Sequence, residues 1–273
     1  MPEAEPLDWL GQTATTEVAA RLSALYDLDF HDKQDDLPFF RELARRTGGP
    51  ILELACGTGR VAVPLARDGH RVVGLDISMA QLERARAKAT AERLSLELLQ
   101  GDMRDFALPE PFALILIAFN SFLLLRPEER LGCLARVREH LARDGPFALD
   151  VFQPDPELIA AKQGALVQQW VREDPESGRT VVKSQSSEAD VDGVSSTNLY
   201  DEIDADGVVR RYARSFRLHY LYRRELELLL AAAGLDVEAM YGSYELDLVT
   251  PRSPKLLTVA RRRERAEADR RRP

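Results

Sequence analysis

Apolar and polar positions follow one rhythm up to residue 154 and another after it. Ile51, Leu52 and Leu54, then Val72, Val73 and Leu75, and the runs 94–100, 112–119 and 146–152 read as buried strands. Between them apolar residues recur at helical spacing: Val61, Ala62, Leu65 and Ala66, the stretch 79–93, then Leu131, Leu134, Val137 and Leu141. Strands alternating with helices on short connections predict a parallel sheet with right-handed crossovers. The run 112–119 is apolar throughout, as suits a central strand covered on both faces. Ahead of the first strand, Val18, Leu22 and Leu25 share a helical face ending at Tyr26-Asp27, and 38–46 reads as a second helix stopped by Gly48-Gly49. Ser78 with Gln81 reads as a capping box on the helix after Asp76.

From 155 to 220 the alternation breaks. Residues 181–187, 195–203 and 208–218 read as antiparallel strands, with turn signals at Glu176-Ser177-Gly178, Asp192-Gly193 and Asp206-Gly207. A helix over 222–233 ended by Gly234 follows, then two last strands at 235–244 and 255–260. The expected organisation is therefore a helical cap (1–49), an α/β core (50–154 and 221–262), a β-rich insertion (155–220) and a disordered Arg-rich tail (263–273). The insertion would make a roof over a substrate or a surface for a homodimer.

Bulk properties narrow the partners. The chain has 273 residues, 45% hydrophobic, enough for one sizeable core. Residues 261–273 carry seven arginines and three acids, a local +4 in a chain of −8, so the remainder carries −12. A body this acidic suits a phosphate backbone poorly, which disfavours nucleic acid. Cys56 and Cys133 form neither a disulfide framework nor a metal-ligand spacing, so no metal is expected. Residues 1–6 lack the basic and apolar segments of a secretory signal, and 112–119 is too short to span a bilayer. No membrane association and a cytoplasmic location are the expectations. His70 and His140 fall at predicted turns and read as solvated.

The chemistry concentrates where the first strand runs into Gly57 and Gly59 and a helix opens behind them. Such a turn lets backbone approach a ligand and aims unpaired helix N–H groups at it. Asp76 ends the second strand 19 residues after Gly57, placed to accept from ribose hydroxyls. Glu53 lies inside the first strand, and Gly101-Asp102-Met103 follows the third. On Glu53-Leu54-Ala55-Cys56-Gly57-Thr58-Gly59, Gly74-Leu75-Asp76-Ile77-Ser78 and Gly101-Asp102-Met103-Arg104, the sequence resembles the class I S-adenosylmethionine-dependent methyltransferases. It is most similar to the small-molecule, glycine and sugar-amine N-methyltransferase-like group.

That resemblance implies a Rossmann-like doubly wound sheet of seven strands, order 3-2-1-4-5-7-6 with strand 7 antiparallel. It also implies S-adenosylmethionine as cofactor, S-adenosylhomocysteine as product, and methyl transfer to N or O of a small-molecule acceptor. Gly57 and Gly59, with Ala55 and Cys56 in the same turn, would admit the methionine end, and Glu53 would orient the turn or the amino group. Asp76 would take the ribose, Ile77 the adenine face, and Asp102 and Met103 the adenine edge. Tyr26 would be a lid contact with a role in catalysis. Phe119, ending the fourth strand, belongs to the cofactor side, and Asn120, Ser121 and Phe122 would face the acceptor. Trp170, Tyr200, Tyr212 and His219 are the insertion's candidate acceptor contacts, and His219 is the candidate general base. Two alternatives stay open on residues alone. Gly57-x-Gly59-x-x-Ala62 with Asp76 permits an NAD(P)-dependent oxidoreductase, although no tyrosine here is followed four residues later by lysine. A non-catalytic S-adenosylmethionine-binding protein is the other.

Overall fold

The computed structural model describes residues 15–155 and 164–263. The N-terminal acidic residues and the Arg-rich tail from 264 onward lie outside them. Thr15 opens α1 (Thr16–Asp29), its Oγ1 accepting the Val18 N–H at 3.3 Å. The next helix, α2 (Leu37–Thr47), has proline in its first turn and ends on Gly48. The alternating part follows as β1 (Ile51–Leu54), α3 (Ala62–Arg67), β2 (Val72–Asp76), α4 (Met79–Ala91), β3 (Leu96–Gln100), β4 (Leu114–Ile117), α5 (Arg130–His140) and β5 (Pro146–Phe152). Four strands come next: β6 (Leu166–Glu173), β7 (Thr180–Ala189), β8 (Gly193–Ile203) and β9 (Val209–His219). The described chain closes with α6 (Arg223–Ala232), β10 (Leu235–Tyr241) and β11 (Lys255–Arg262).

The main sheet runs β10-β11-β5-β4-β1-β2-β3. Strands β1 to β5 are parallel, and β11 lies antiparallel between β5 and β10. In sequence order of its seven strands this is 3-2-1-4-5-7-6, as expected. Leu134, Val137, Leu226 and Leu230 of α5 and α6 cover one face, and Phe40, Leu43, Val61 and Leu65 cover the other. Strand order reverses between β1 and β4, so a crevice opens at their carboxyl ends, where ligands of such sheets bind. The insertion forms its own antiparallel meander, β6-β7-β8-β9.

Three local expectations need correction. β6 is an extra strand: six of its eight residues are exposed and a bulge falls between Gln168 and Trp170, so its sequence lacks a clean period of two. Ser78 caps α4 without any side-chain hydrogen bond, because its backbone N–H goes to Asp76 Oδ1 at 2.8 Å instead of entering a box with Gln81. His140 is buried, its Nε2 accepting the Leu108 N–H at 2.9 Å while its ring stacks near Phe106.

Candidate functional site

The turn after β1 has a conformation that only a few residues allow. Ala55, Gly57 and Gly59 all have positive φ, at 55°, 57° and 77°. A β-carbon on Gly57 would stand 2.7 Å from Gln81 Oε1, and one on Gly59 would stand 2.8 Å from Val63. Cys56 is buried with its thiol against Gly74, and its pKa is raised by burial. Glu53 is buried, takes the Ala62 backbone N–H, and leaves Oε2 without a partner. Burial pushes its pKa to about 8, against the opposing pull of Arg60. Arg60 is itself held by Asp36 at 2.6 and 2.7 Å.

Asp76 braces this turn across the gap between strands. Its Oδ2 accepts the Gly57 N–H and its Oδ1 the Ser78 N–H, each at 2.8 Å. Burial raises its pKa and those two bonds oppose the rise. Ile77 is half-buried beside it, and its carbonyl accepts from Gln100 Nε2. One strand further, Asp102 is gripped by Arg104, whose side chain and backbone N–H hold it below the usual carboxylate range. Met103 is buried in the adjoining core.

At the carboxyl end of β4 two successive non-glycine residues are left-handed, Phe119 at φ 52° and Asn120 at φ 65°. Such strain costs roughly 1–3 kcal/mol per residue and collects at functional sites. The neighbouring strand holds them. Phe119 N–H donates to Asp150 Oδ2 at 3.1 Å, Asn120 N–H to the Asp150 carbonyl at 2.9 Å, and Phe152 N–H to Asn120 Oδ1 at 2.7 Å. Asp150, fully buried, also accepts Tyr244 OH at 2.7 Å and Lys255 Nζ at 2.9 Å. Ser121 is half-buried at the start of the following 3-10 turn, and Phe122 is fully buried in the core.

Above the crevice, α1 is tied to both the core and the insertion. Asp27 accepts from Thr58 Oγ1 at 2.6 Å, Lys88 Nζ at 2.6 Å and Arg84 Nε at 2.7 Å. Asp29 is buried among Lys183 Nζ, Tyr200 OH at 3.0 Å and Trp170 Nε1 at 2.8 Å. Trp170, Tyr200 and Tyr212 thus form one cluster with Leu25 of α1, and the polar atoms of the first two are engaged by Asp29. Tyr26 is half-buried and lies against Phe30, whose ring meets Phe119 edge-on at 4.9 Å. Burial raises the Tyr26 pKa. His219 ends β9, next to Tyr220, whose ring meets Phe152 at 6.3 Å. Its pKa is lowered by burial and then by Arg217 and Arg130, leaving a neutral imidazole near neutral pH.

The residues that sequence reasoning missed are Asp27, Asp29 and Asp150, each a carboxylate whose partners come from far along the chain. Only Asp150, an acid inside an apolar strand, left a signal. Among the described residues no group of three or more His, Cys, Asp or Glu stands together, and no helix is long and apolar enough to cross a membrane.

Residues 51–145 match the family described as methyltransferase domain. An N,N-dimethyltransferase of dTDP-3-amino-3,4,6-trideoxy-α-D-glucopyranose from Streptomyces venezuelae is 30% identical over 70% of this chain and 77% of its own. A cypemycin N-terminal methyltransferase from a Streptomyces species is 28% identical over 79% of this chain and 84% of its own. The S-adenosylmethionine-bound structure of CalS10, an amino pentose methyltransferase from Micromonospora echinaspora, superposes with a TM-score of 0.64 at 25% identity, covering 85% of this chain and 91% of that one.

Proposed function

This chain belongs to the class I S-adenosylmethionine-dependent methyltransferases, and we propose that it methylates an amino group of a small, amino-sugar-like acceptor by in-line displacement. Membership overturns the oxidoreductase and non-catalytic alternatives. The observation that carries the finer reading is the crevice between β1 and β4. There the positive-φ turn follows β1, which carries the buried Glu53 with its unpartnered Oε2, and the strained Phe119–Asn120 pair follows the neighbouring β4, so both stand at the carboxyl ends of adjacent strands. Two relatives named for N-methylation, one of them on an amino sugar, support nitrogen as the acceptor atom, and the amino pentose methyltransferase fits an amino-sugar-like acceptor.

The residues present fit the cofactor. Gly57 and Gly59 leave room for its methionine end, and the open Glu53 oxygen offers an acceptor to an ammonium group. Asp76, already fixed by two backbone N–H groups, turns its remaining lone pairs to the ribose hydroxyls. Ile77 and Met103 pack on the adenine, and Asp102 faces its edge. The cofactor supplies an activated methyl on a sulfonium. The chain's task is then placement, since holding reactants within about 3–3.5 Å in line contributes roughly 7–11 kcal/mol. Asn120 and Ser121 orient the amine, and Tyr26 closes over the crevice from α1. His219, neutral before reaction, accepts the proton the amine releases. Trp170, Tyr200 and Tyr212 serve as the latch that seats α1 rather than as direct acceptor contacts.

Asp76→Ala tests the cofactor assignment. Losing charge-assisted bonds of roughly 1.5–3 kcal/mol should weaken S-adenosylhomocysteine about 30- to 1,000-fold in calorimetric titration. A folded variant binding within about threefold of wild type takes Asp76 out of the site.

A further inference from the structure

Strand β9 carries four arginines, and three of them are occupied. Arg211 pairs with Asp201 at 2.6 Å, Arg217 with Asp190 at 2.7 Å, and Arg210 bonds Tyr212. Arg214 has neither hydrogen bond nor ion pair among the described residues. It is half-buried, and it shares a face of the meander with Tyr212, the face packed against α1. Its guanidinium carbon stands 5.7 Å from the centre of the Tyr26 ring. Asp76 and Tyr200 both feel its positive charge, although Asp76 forms no ion pair with it. The guanidinium therefore lies beside Tyr26 of α1, within electrostatic reach of Asp76 at the turn after β1.

A second orphan lies directly across the strand pair. Asn198 is the register partner of Arg214, is only 6% exposed, and leaves Oδ1 without a partner. Cross-strand partners place their side chains on the same face, about 4.5–5.5 Å apart at Cβ. A buried acceptor lacking a donor and a half-buried cation lacking an anion both cost free energy until something fills them. One ligand bearing an oxyanion beside a hydroxyl or N–H group satisfies both.

We infer that Arg214, with Asn198 beside it, forms an oxyanion subsite through which the β insertion grips the ligands bound in the crevice. The planar guanidinium matches carboxylate and phosphate alike, in a paired geometry. Two sources of that anion fit: the carboxylate at the cofactor's methionine end, or a phosphate carried by the acceptor, as on the dTDP-linked sugar of the Streptomyces venezuelae relative. The inference rests on the methyltransferase reading above, since it takes the crevice to be the ligand site.

Calorimetry on wild type, Arg214→Met and Arg214→Lys with three probes separates the cases. The probes are S-adenosylhomocysteine, 5′-methylthioadenosine (which lacks the amino-acid end) and thymidine diphosphate. With the cofactor carboxylate as the anion, Arg214→Met weakens S-adenosylhomocysteine about 10- to 100-fold, the size of a lost charge-assisted pair, and leaves methylthioadenosine unchanged. With an acceptor phosphate as the anion, thymidine diphosphate weakens by a similar factor and S-adenosylhomocysteine does not. In either case Arg214→Lys recovers part of the loss. Binding of all three probes within about threefold of wild type overturns the subsite. An equal loss of methylthioadenosine overturns it too, since the residue then merely shapes the site. Wild-type protein that binds no S-adenosylhomocysteine would instead contradict the cofactor reading itself, leaving a thymidine diphosphate loss in Arg214→Met as the sole measure of the subsite.

Discussion

Replacing Asp150 by alanine removes the one carboxylate that holds the end of β4, β5 and the start of β11 together. The side chain is fully buried and takes three donors: Phe119 N–H at 3.1 Å, Tyr244 OH at 2.7 Å and Lys255 Nζ at 2.9 Å. Without it Lys255, only 16% exposed, loses its ion-pair partner, and two neutral donors lose theirs. Breaking a buried pair in this way costs about 3–5 kcal/mol. Against a typical domain stability of about 5–15 kcal/mol that is a large share. Asp150→Asn keeps the volume and one acceptor oxygen, so a loss of about 1–3 kcal/mol is expected. Urea unfolding with linear extrapolation reads both values, and an unchanged slope shows that the folded state keeps its compactness. The same substitution loosens the left-handed Phe119–Asn120 pair. In the folded Asn variant kcat should therefore fall by about tenfold or more, since small misplacements near the reacting atoms can cost up to about a hundredfold. An alanine variant destabilised by less than about 1 kcal/mol, or an Asn variant with wild-type kcat, refutes the clamp.

Glu53→Gln should change how stability depends on pH. With its folded pKa raised to about 8 from an ordinary 4.5, Glu53 keeps a proton that the unfolded chain has released across that window. Wild-type stability therefore loses up to about 1.4 kcal/mol per pH unit from this group as pH rises from 4.5 to 8, and glutamine removes that loss. The stability of Gln variant relative to wild type should grow by about 2–4 kcal/mol between about pH 5 and pH 8 in parallel unfolding series, and curves that keep a constant offset contradict the buried, protonated carboxyl. His219→Ala should lower kcat by about 10²–10⁴ and abolish the acid limb of the pH profile, a limb lying below the ordinary imidazole value because burial, Arg217 and Arg130 depress it. Unchanged kcat and pH dependence leave placement alone to carry the reaction.

The α/β alternation and the glycine turn after β1 were legible because they rest on local signals, and the sheet order followed from the family resemblance that those motifs carry. Apolar runs of strand length, glycines at a turn and an acid at a strand end all appear within a few residues of one another. What escaped depends on contacts remote in sequence. The burial of His140 comes from Phe106 and Leu108 folding over α5, which its position at a helix end does not announce. The missing capping box follows from a competition: Asp76 takes the Ser78 N–H first. Left-handed Ala55, Phe119 and Asn120 carry no glycine to betray them. The edge strand β6 has too many exposed positions to show a period of two. Trp170, Tyr200 and Tyr212 were legible as a concentration of aromatics, but the Asp29 to which Trp170 and Tyr200 attach lies some 140 to 170 residues away in the chain. Arg214 was one arginine among many until its neighbours on β9 proved to be paired and it did not.

The most direct test is to incubate the protein with S-adenosylmethionine bearing a chiral, isotopically labelled methyl group and an amino-sugar nucleotide. Mass spectrometry and NMR of the product then give the number, position and configuration of the transferred methyls. The account predicts one or two methyl groups on nitrogen, with configuration inverted and S-adenosylhomocysteine formed in matching amount. Methyl on oxygen, retention of configuration, or S-adenosylhomocysteine appearing with no methylated acceptor contradicts it.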